Sequence, residues 1–272
     1  MDSESWYRLN VFIFVVNNSY QTCDIAMVQR QKFYTSFHDL SPREYMYIPK
    51  GSLEVGKPGS FSRIEVGHLV IAIGVLTFAF SFTFSKNNLM FFLLGLPIDV
   101  FAYVFFMPIA FLGIVTAFVI HELAHKFVAQ KYGLWSEFRM YPRGLVVSVV
   151  VAFFTGLVFA APGAVMFRGD AKPSEAGRIA AAGSTANLTI AVVAYVFYYF
   201  LFVNIEFWGM VVGFICLVNL LLATFNLLPF GPLDGKKVLI WNEIVWLVLF
   251  SVAVLFLSGM FIGGNLLMKF FT

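Results

Sequence analysis

A polytopic α-helical membrane fold is predicted by three observations. Of 272 residues, 60% are hydrophobic and only 12% charged, with a mean hydropathy of +0.84. A soluble domain is about half apolar and about a quarter charged, so this chain has too little charge to wet a globule of its size. The charges are also unevenly placed: residues 1–65 hold 14 of the 33, and the other 207 residues hold 19. Beyond residue 65 the sequence falls into apolar runs long enough to cross a bilayer. Disorder, a coiled coil and an ordinary soluble enzyme are excluded. A net charge of +3 without a long basic run gives no reason to expect a nucleic-acid partner. The expected organisation is a polar N-terminal tail or small cytoplasmic subdomain over residues 1–60, then a membrane-embedded domain over 61–272 with about five to six transmembrane helices.

The start lacks the basic leader of a secretory signal, since Asp2 and Glu4 stand against Arg8. The apolar run 9–16 is too short to span and reads as a strand. Residues 20–62 are polar and punctuated by Pro42, Pro49, Gly51, Gly56, Pro58 and Gly59. The first span is expected over 66–84. A second block, 89–128, is interrupted by Pro97, Asp99 and Pro108; its helix should continue to about Lys131, with Asp99 near water. The block 145–167 is ambiguous. Further spans are expected over 187–203, 207–227 and 244–268. Cys23 and Cys216 fall in the tail and in an apolar span, so neither a disulfide nor a thiolate metal cluster is expected.

Charge asymmetry bears on the ambiguous block. If 145–167 crosses, basic residues divide 12 and 6 between the two sides; if it dips in and returns, they divide 16 and 2. The positive-inside rule favours the second arrangement. It gives five full spans, a cytoplasmic N-terminal tail and an outside C-terminus. Val146, Val147, Val149, Val150 and Val151 suit a strand, Thr155-Gly156 a turn, and 157–167 a returning strand. A re-entrant β-hairpin of this kind must be covered by protein or line a water-filled cavity. The other reading is a sixth ordinary span.

The strongest chemical signal is His121-Glu122-Leu123-Ala124-His125. Residues four apart share a helix face, so both imidazoles can reach one metal ion. Two neutral imidazoles and a carboxylate suit Zn²⁺ with one position left for water, and Glu122 stands beside that face as a base. The motif closes the chargeless run 111–120. Burying two histidines and a glutamate there is unfavourable unless something binds them. The other reading is a solvated helix end.

A third ligand is required, and Asp234 is the candidate. It lies in Asn226-Leu227-Leu228-Pro229-Phe230-Gly231-Pro232-Leu233-Asp234-Gly235, directly after an apolar span. The prolines break the helix and the glycines permit tight backbone, so a carboxylate can turn inward; a solvated Pro/Gly turn is the plainer alternative. Topology favours the ligand. His125 and Asp234 share a side only if an even number of crossings separates them, and a crossing at 145–167 would put them about 30 Å apart.

Gly183-Ser184-Thr185-Ala186-Asn187 follows three alanines and permits close helix approach. Asn187, near the start of its expected span, could donate to a developing oxyanion or make a structural interhelical hydrogen bond. Glu137, Asp170 and Glu175 lie in polar loop sequence. Asp99, Glu206 and Glu243 are expected to face water, Glu243 being the fallback ligand. His38 and His68 have no ligand spacing around them.

In this order, the His121 to His125 motif at a membrane helix end, the Gly183 to Asn187 segment, and Asn226 to Pro229 followed by Leu233-Asp234-Gly235 resemble the site-2 protease family of intramembrane zinc metalloproteases. The likeness covers roughly residues 61–240. It implies one Zn²⁺ per chain on His121, His125 and Asp234, with Glu122 as catalytic base. It also implies a re-entrant β-hairpin matching 145–167. Lys236 stands where many members have a second glycine, and no PDZ or CBS-like module is visible. The expected activity is hydrolysis of peptide bonds within or next to transmembrane segments of membrane-protein substrates, from the cytoplasmic side. The partners are then those segments and the lipid bilayer, and Asn187 is a candidate oxyanion stabiliser. The alternatives are a non-enzymatic membrane metal-binding protein or transporter, and an inactive relative. A transporter should carry ionisable residues along a path through its spans, whereas here the polar groups gather at one end.

Overall fold

The computed structural model describes residues 33–35, 59–158, 162–168 and 171–262. All belong to the second of the two compact units into which the chain divides, 32–272. The strand expected over 9–16, most of the 1–60 tail and the end of the last expected span lie outside the described residues.

Five helical stretches are long and apolar enough to cross a membrane: Arg63–Leu93, Val100–Lys131, Pro173–Phe202, Glu206–Asn226 and Glu243–Met260. The protein is a polytopic helical membrane protein, with the apolar exterior such a protein turns to lipid; Phe101, Phe200 and Leu255 are among its most exposed side chains. The first helix, α1 (Arg63–Phe84), starts three residues earlier than its apolar run because the Ser62 hydroxyl accepts the Glu65 N–H at 3.1 Å. A short α2 (Leu89–Leu93) follows. Asp99 is exposed, as expected, and caps α3 (Val100–Ile114) by accepting the Phe101 and Ala102 N–H groups. A π-helical segment, Val115–Val119, joins α3 to α4 (Ile120–Lys131).

The segment 145–167 is not a hairpin in itself. Residues Pro142–Thr155 form a helix, α5, and the strands lie on either side of it: β2 (Trp135–Met140) and β3 (Gly163–Arg168). They pair antiparallel from Trp135↔Arg168 to Met140↔Gly163. A third strand, β1 (Phe33–Thr35), pairs with the other edge of β3 at Met166 to Arg168. The valines yield to helix for a physical reason. At membrane depth a helix satisfies its own backbone, whereas a lone hairpin leaves two open edges. The penalty for β-branching in a helix is only a few tenths of a kcal/mol per residue. Pro142 at the first turn and Gly156 in the left-handed region (φ 72°) set its ends. At ~1.5 Å per residue, this 14-residue helix is shorter than the ~30 Å hydrocarbon layer. Because Trp135 and Arg168 are paired, the segment returns to where it left. The count of five spans holds, and 145–167 is not a sixth.

Helix α6 (Pro173–Phe197) continues through a π-helical turn, Tyr198–Phe202. It begins well before residue 187, since alanine is the best helix former and the small-residue run 180–186 is helical. Asn187 therefore sits in the middle of a span rather than near its start. Then come α7 (Glu206–Asn226), a break, α8 (Asp234–Trp241) and α9 (Glu243–Ile262). The Trp246 indole bonds the Leu227 carbonyl at 2.8 Å, tying α9 to that break. Leu69, Leu76, Ile114, Phe138, Leu145 and Val165 form one buried cluster that seats α5 and the sheet on α1 and α3.

Candidate metal centre

Helix α4 carries two pairs of polar residues at a spacing of four, offset by one position: His121 with His125, and Glu122 with Lys126. All four are buried. Offsetting the pairs by one turns them to adjacent faces of the helix. The first pair meets α6 and α8; the second meets the sheet and α1.

Asp234, the first residue of α8, completes the first face. The three ligand-type atoms lie within 4.8 Å of one another. His125 Nε2 is 3.0 Å from Asp234 Oδ2 and 3.0 Å from His121 Nε2; His121 Nε2 is 3.5 Å from Asp234 Oδ2. Among the described residues these three are the one group of at least three ligand-type side chains that could hold a metal ion.

The hydrogen-bond partners decide which imidazole nitrogens face inward. His125 Nδ1 is 2.7 Å from the Ile179 carbonyl, an acceptor only, so Nδ1 carries the proton. His121 Nδ1 is 2.5 Å from Asn187 Oδ1. The Asn187 amide is oriented by its other end, since Nδ2 donates to the Ala117 carbonyl and to Asn219 Oδ1, both at 2.9 Å. His121 Nδ1 must therefore donate as well. Both Nε2 atoms then present lone pairs to each other and to a carboxylate, inside an apolar protein. That convergence is repulsive without a cation at its focus, and it suits the N/O donor set of Zn²⁺. Space is provided by Gly183: a Cβ there would fall 2.4 Å from His125 Nε2 and 2.7 Å from His121 Cε1.

Glu122 is not one of the three converging residues. Its Oε2 accepts the Val165 N–H of β3 at 2.9 Å. A carboxylate beside a cation site, oriented by a strand rather than by the ion, has the placement of a base.

His121, Glu122, His125 and Asp234, chosen from the sequence, thus come together. Asn187 joins them through hydrogen bonds: its N–H groups donate to Ala117 and Asn219, and its oxygen accepts from His121. Glu243 and Glu206 are exposed at helix starts, as expected. Glu137 is not in a loop. It is buried in β2 and paired with Arg139, and burial pushes its carboxyl above the ordinary value. Glu175 caps α6 by accepting the Lys172 N–H. His68 stands apart on α1, and His38 and Asp170 lie outside the described residues. Sequence reasoning overlooked Asn219, whose side chain supports Asn187 while donating to the Ile215 carbonyl at 2.8 Å. The signal was present, since a lone amide in an apolar span needs a partner. The contributions of the Ile179 carbonyl and the Val165 N–H had no sequence signal, because every residue carries those groups.

Three relatives bear on this site. The protein named "Putative zinc metalloprotease MJ0611" of Methanocaldococcus jannaschii is 34% identical, over 69% of this chain and 90% of its own. "Putative zinc metalloprotease YwhC" of Bacillus subtilis is 31% identical, over 49% of this chain and 68% of its own. "Zinc metalloprotease MJ0392" of Methanocaldococcus jannaschii is 29% identical, over 49% of this chain but only 34% of its own. No family model matches the sequence, and no solved structure matches it. Five spans around a buried His₂-carboxylate set with an adjacent glutamate define a membrane metalloprotease. The chain belongs to the zinc metalloprotease family that includes MJ0611.

Proposed function

We propose that this protein is an intramembrane zinc endopeptidase of the site-2 protease type, cleaving peptide bonds within or next to transmembrane segments of other membrane proteins. The observation that carries the reading is the buried convergence of His121 Nε2, His125 Nε2 and Asp234 Oδ2 among membrane helices, with Glu122 beside them. One Zn²⁺ held by these three residues would supply Lewis-acid activation of water. Glu122 receives the proton of the attacking water and returns it to the leaving amine. The Val165 N–H keeps the Glu122 carboxylate at its post between those transfers. Asn187 and the Ile179 carbonyl hold the two imidazoles with Nε2 inward.

A helical substrate has its amides tied up internally and must unwind to be attacked. Strand addition to a sheet edge is a general way to hold a peptide extended. Among the described residues β1 pairs with β3 at Met166 to Arg168, and Glu122 meets β3 at Val165; a substrate strand added at that point would lie beside the base. The basic residues, divided 16 and 2 for five spans, favour a site toward the cytoplasmic side.

The test is cleavage of a single-span membrane protein by the purified protein in detergent. Cleavage that a chelator abolishes and Zn²⁺ restores is the expected result. Metal-bound protein that cleaves no such substrate, yet moves zinc across proteoliposomes, would make it a transporter instead.

A further inference from the structure

The second polar face of α4 is not used by the chemistry above. Lys126 is fully buried and forms an ion pair with Glu65 Oε2 of α1, itself fully buried. Its ammonium also lies 3.9 Å from the centre of the Phe61 ring. The second oxygen, Glu65 Oε1, accepts the Phe138 N–H of β2 at 3.0 Å. Phe138 is the register partner of Val165, and Val165 donates its N–H to Glu122. Both N–H groups of this register pair therefore point away from the ladder, as in the non-hydrogen-bonded pairs of an antiparallel sheet. Each outer edge is met by a buried carboxylate, Glu65 on β2 and Glu122 on β3.

These contacts close a ring. It runs from Glu65 to Lys126, along one face of α4 to Glu122, across to Val165, through the ladder to Phe138, and back to Glu65. A buried ion pair is a poor source of stability, because desolvation offsets the attraction and apolar replacements of both partners are often tolerated. The contact that matters here is the one to the sheet: Glu65 Oε1 ties the Phe138 N–H, and with it the β2–β3 pair that meets Glu122, to α1. We propose that Glu65 is a positioning residue for the reaction, acting on Glu122 through the Phe138–Val165 pair. This rests on the proteolytic reading above.

The experiment compares two double variants, E65Q/K126M and E65L/K126M. Both remove the charges together, so neither leaves a buried ammonium unpaired. They differ in whether an oxygen remains for the Phe138 N–H. Zinc content and thermal midpoint establish that each is folded. In E65L/K126M, kcat should fall roughly 10- to 100-fold, the scale of a misplaced catalytic group, with KM little changed. Hydrogen exchange at residues 136–140 and 163–168 should accelerate. In E65Q/K126M both readouts should stay much closer to wild type. A merely structural role predicts the same kcat per folded, zinc-loaded molecule in both variants. Equal kcat and equal exchange in the two overturn the proposal. If the wild type itself shows no chelator-sensitive cleavage, the proteolytic reading fails, and the exchange comparison still decides whether Glu65 holds the sheet.

Discussion

Asn187 Oδ1 accepts a hydrogen bond from His121 Nδ1 across 66 positions of sequence, joining the middle of α6 to the metal-binding face of α4. An imidazole ligates through whichever nitrogen its partner leaves unprotonated. The amide therefore decides that His121 presents Nε2 to Asp234 and His125. Its effect is expected on metal binding before turnover.

Replacing Asn187 with alanine removes that acceptor and leaves the Ala117 carbonyl and Asn219 without their donor. Zinc affinity should fall roughly 10- to 100-fold, the range for partners behind a metal ligand. Competition with a chromophoric chelator measures it. If affinity is unchanged and only kcat falls at saturating zinc, the amide serves the oxyanion instead.

The ligand set is tested by metal content. Purified protein should carry about one zinc per chain, because one His₂-carboxylate set is present among the described residues. His121→Ala, His125→Ala and Asp234→Ala should each lose most of it and all activity. Glu243→Ala and Glu137→Ala should keep both, since one is exposed at a helix start and the other is paired with Arg139 in β2. Zinc lost from Glu243→Ala but retained in Asp234→Ala would reassign the third ligand.

Glu122→Gln should retain zinc and lose turnover by at least roughly 10²-fold, the scale of losing a general base. The amide can still accept the Val165 N–H, so the sheet should stay in place. Elemental analysis alongside a cleavage assay separates base from ligand: loss of zinc would make Glu122 structural.

Gly183→Ala is a steric test of where the ion sits. Its methyl would lie 2.4 Å from His125 Nε2 and 2.6 Å from His125 Cε1. Zinc content should drop sharply although no ligand is altered. Gly74, with open space around it, is the control, and Gly74→Ala should bind zinc as the wild type does. Full occupancy in Gly183→Ala would place the ion elsewhere.

Topology can be read with cysteines. Single cysteines at Arg143 and Lys172, in a background without Cys23 and Cys216, should react with an impermeant maleimide from the same, cytoplasmic, side. Arg143 stands in the first turn of α5 and Lys172 follows β3, so the body of α5 and β3 lie between them. Reaction from opposite sides would show that the segment between them crosses.

By itself the sequence narrowed the spans to five or six and picked out the side-by-side imidazoles and Asp234 as the candidate third ligand. Each follows from a local rule: a run of apolar residues long enough for the bilayer, a spacing of four on a helix, a carboxylate after a helix break. The distribution of lysine and arginine also favoured a return of 145–167 over a sixth crossing. Tertiary structure decided the rest. The valine-rich stretch 146–151 became helix α5, because at membrane depth the need to satisfy every backbone group outweighs the weak preference of valine for strands. Of the strands that flank it, β2 is polar enough to read as loop and β3 falls within the stretch 157–167 expected as a strand; both form because each supplies the other's hydrogen bonds. Asn187 bonds His121 through its oxygen, with both N–H groups turned to Ala117 and Asn219, because packing brought those partners to it. Glu65 and Lys126, 61 positions apart, carry no pairing signal in one dimension. A side chain's type limits what it can bond, and only the folded chain settles which partner arrives.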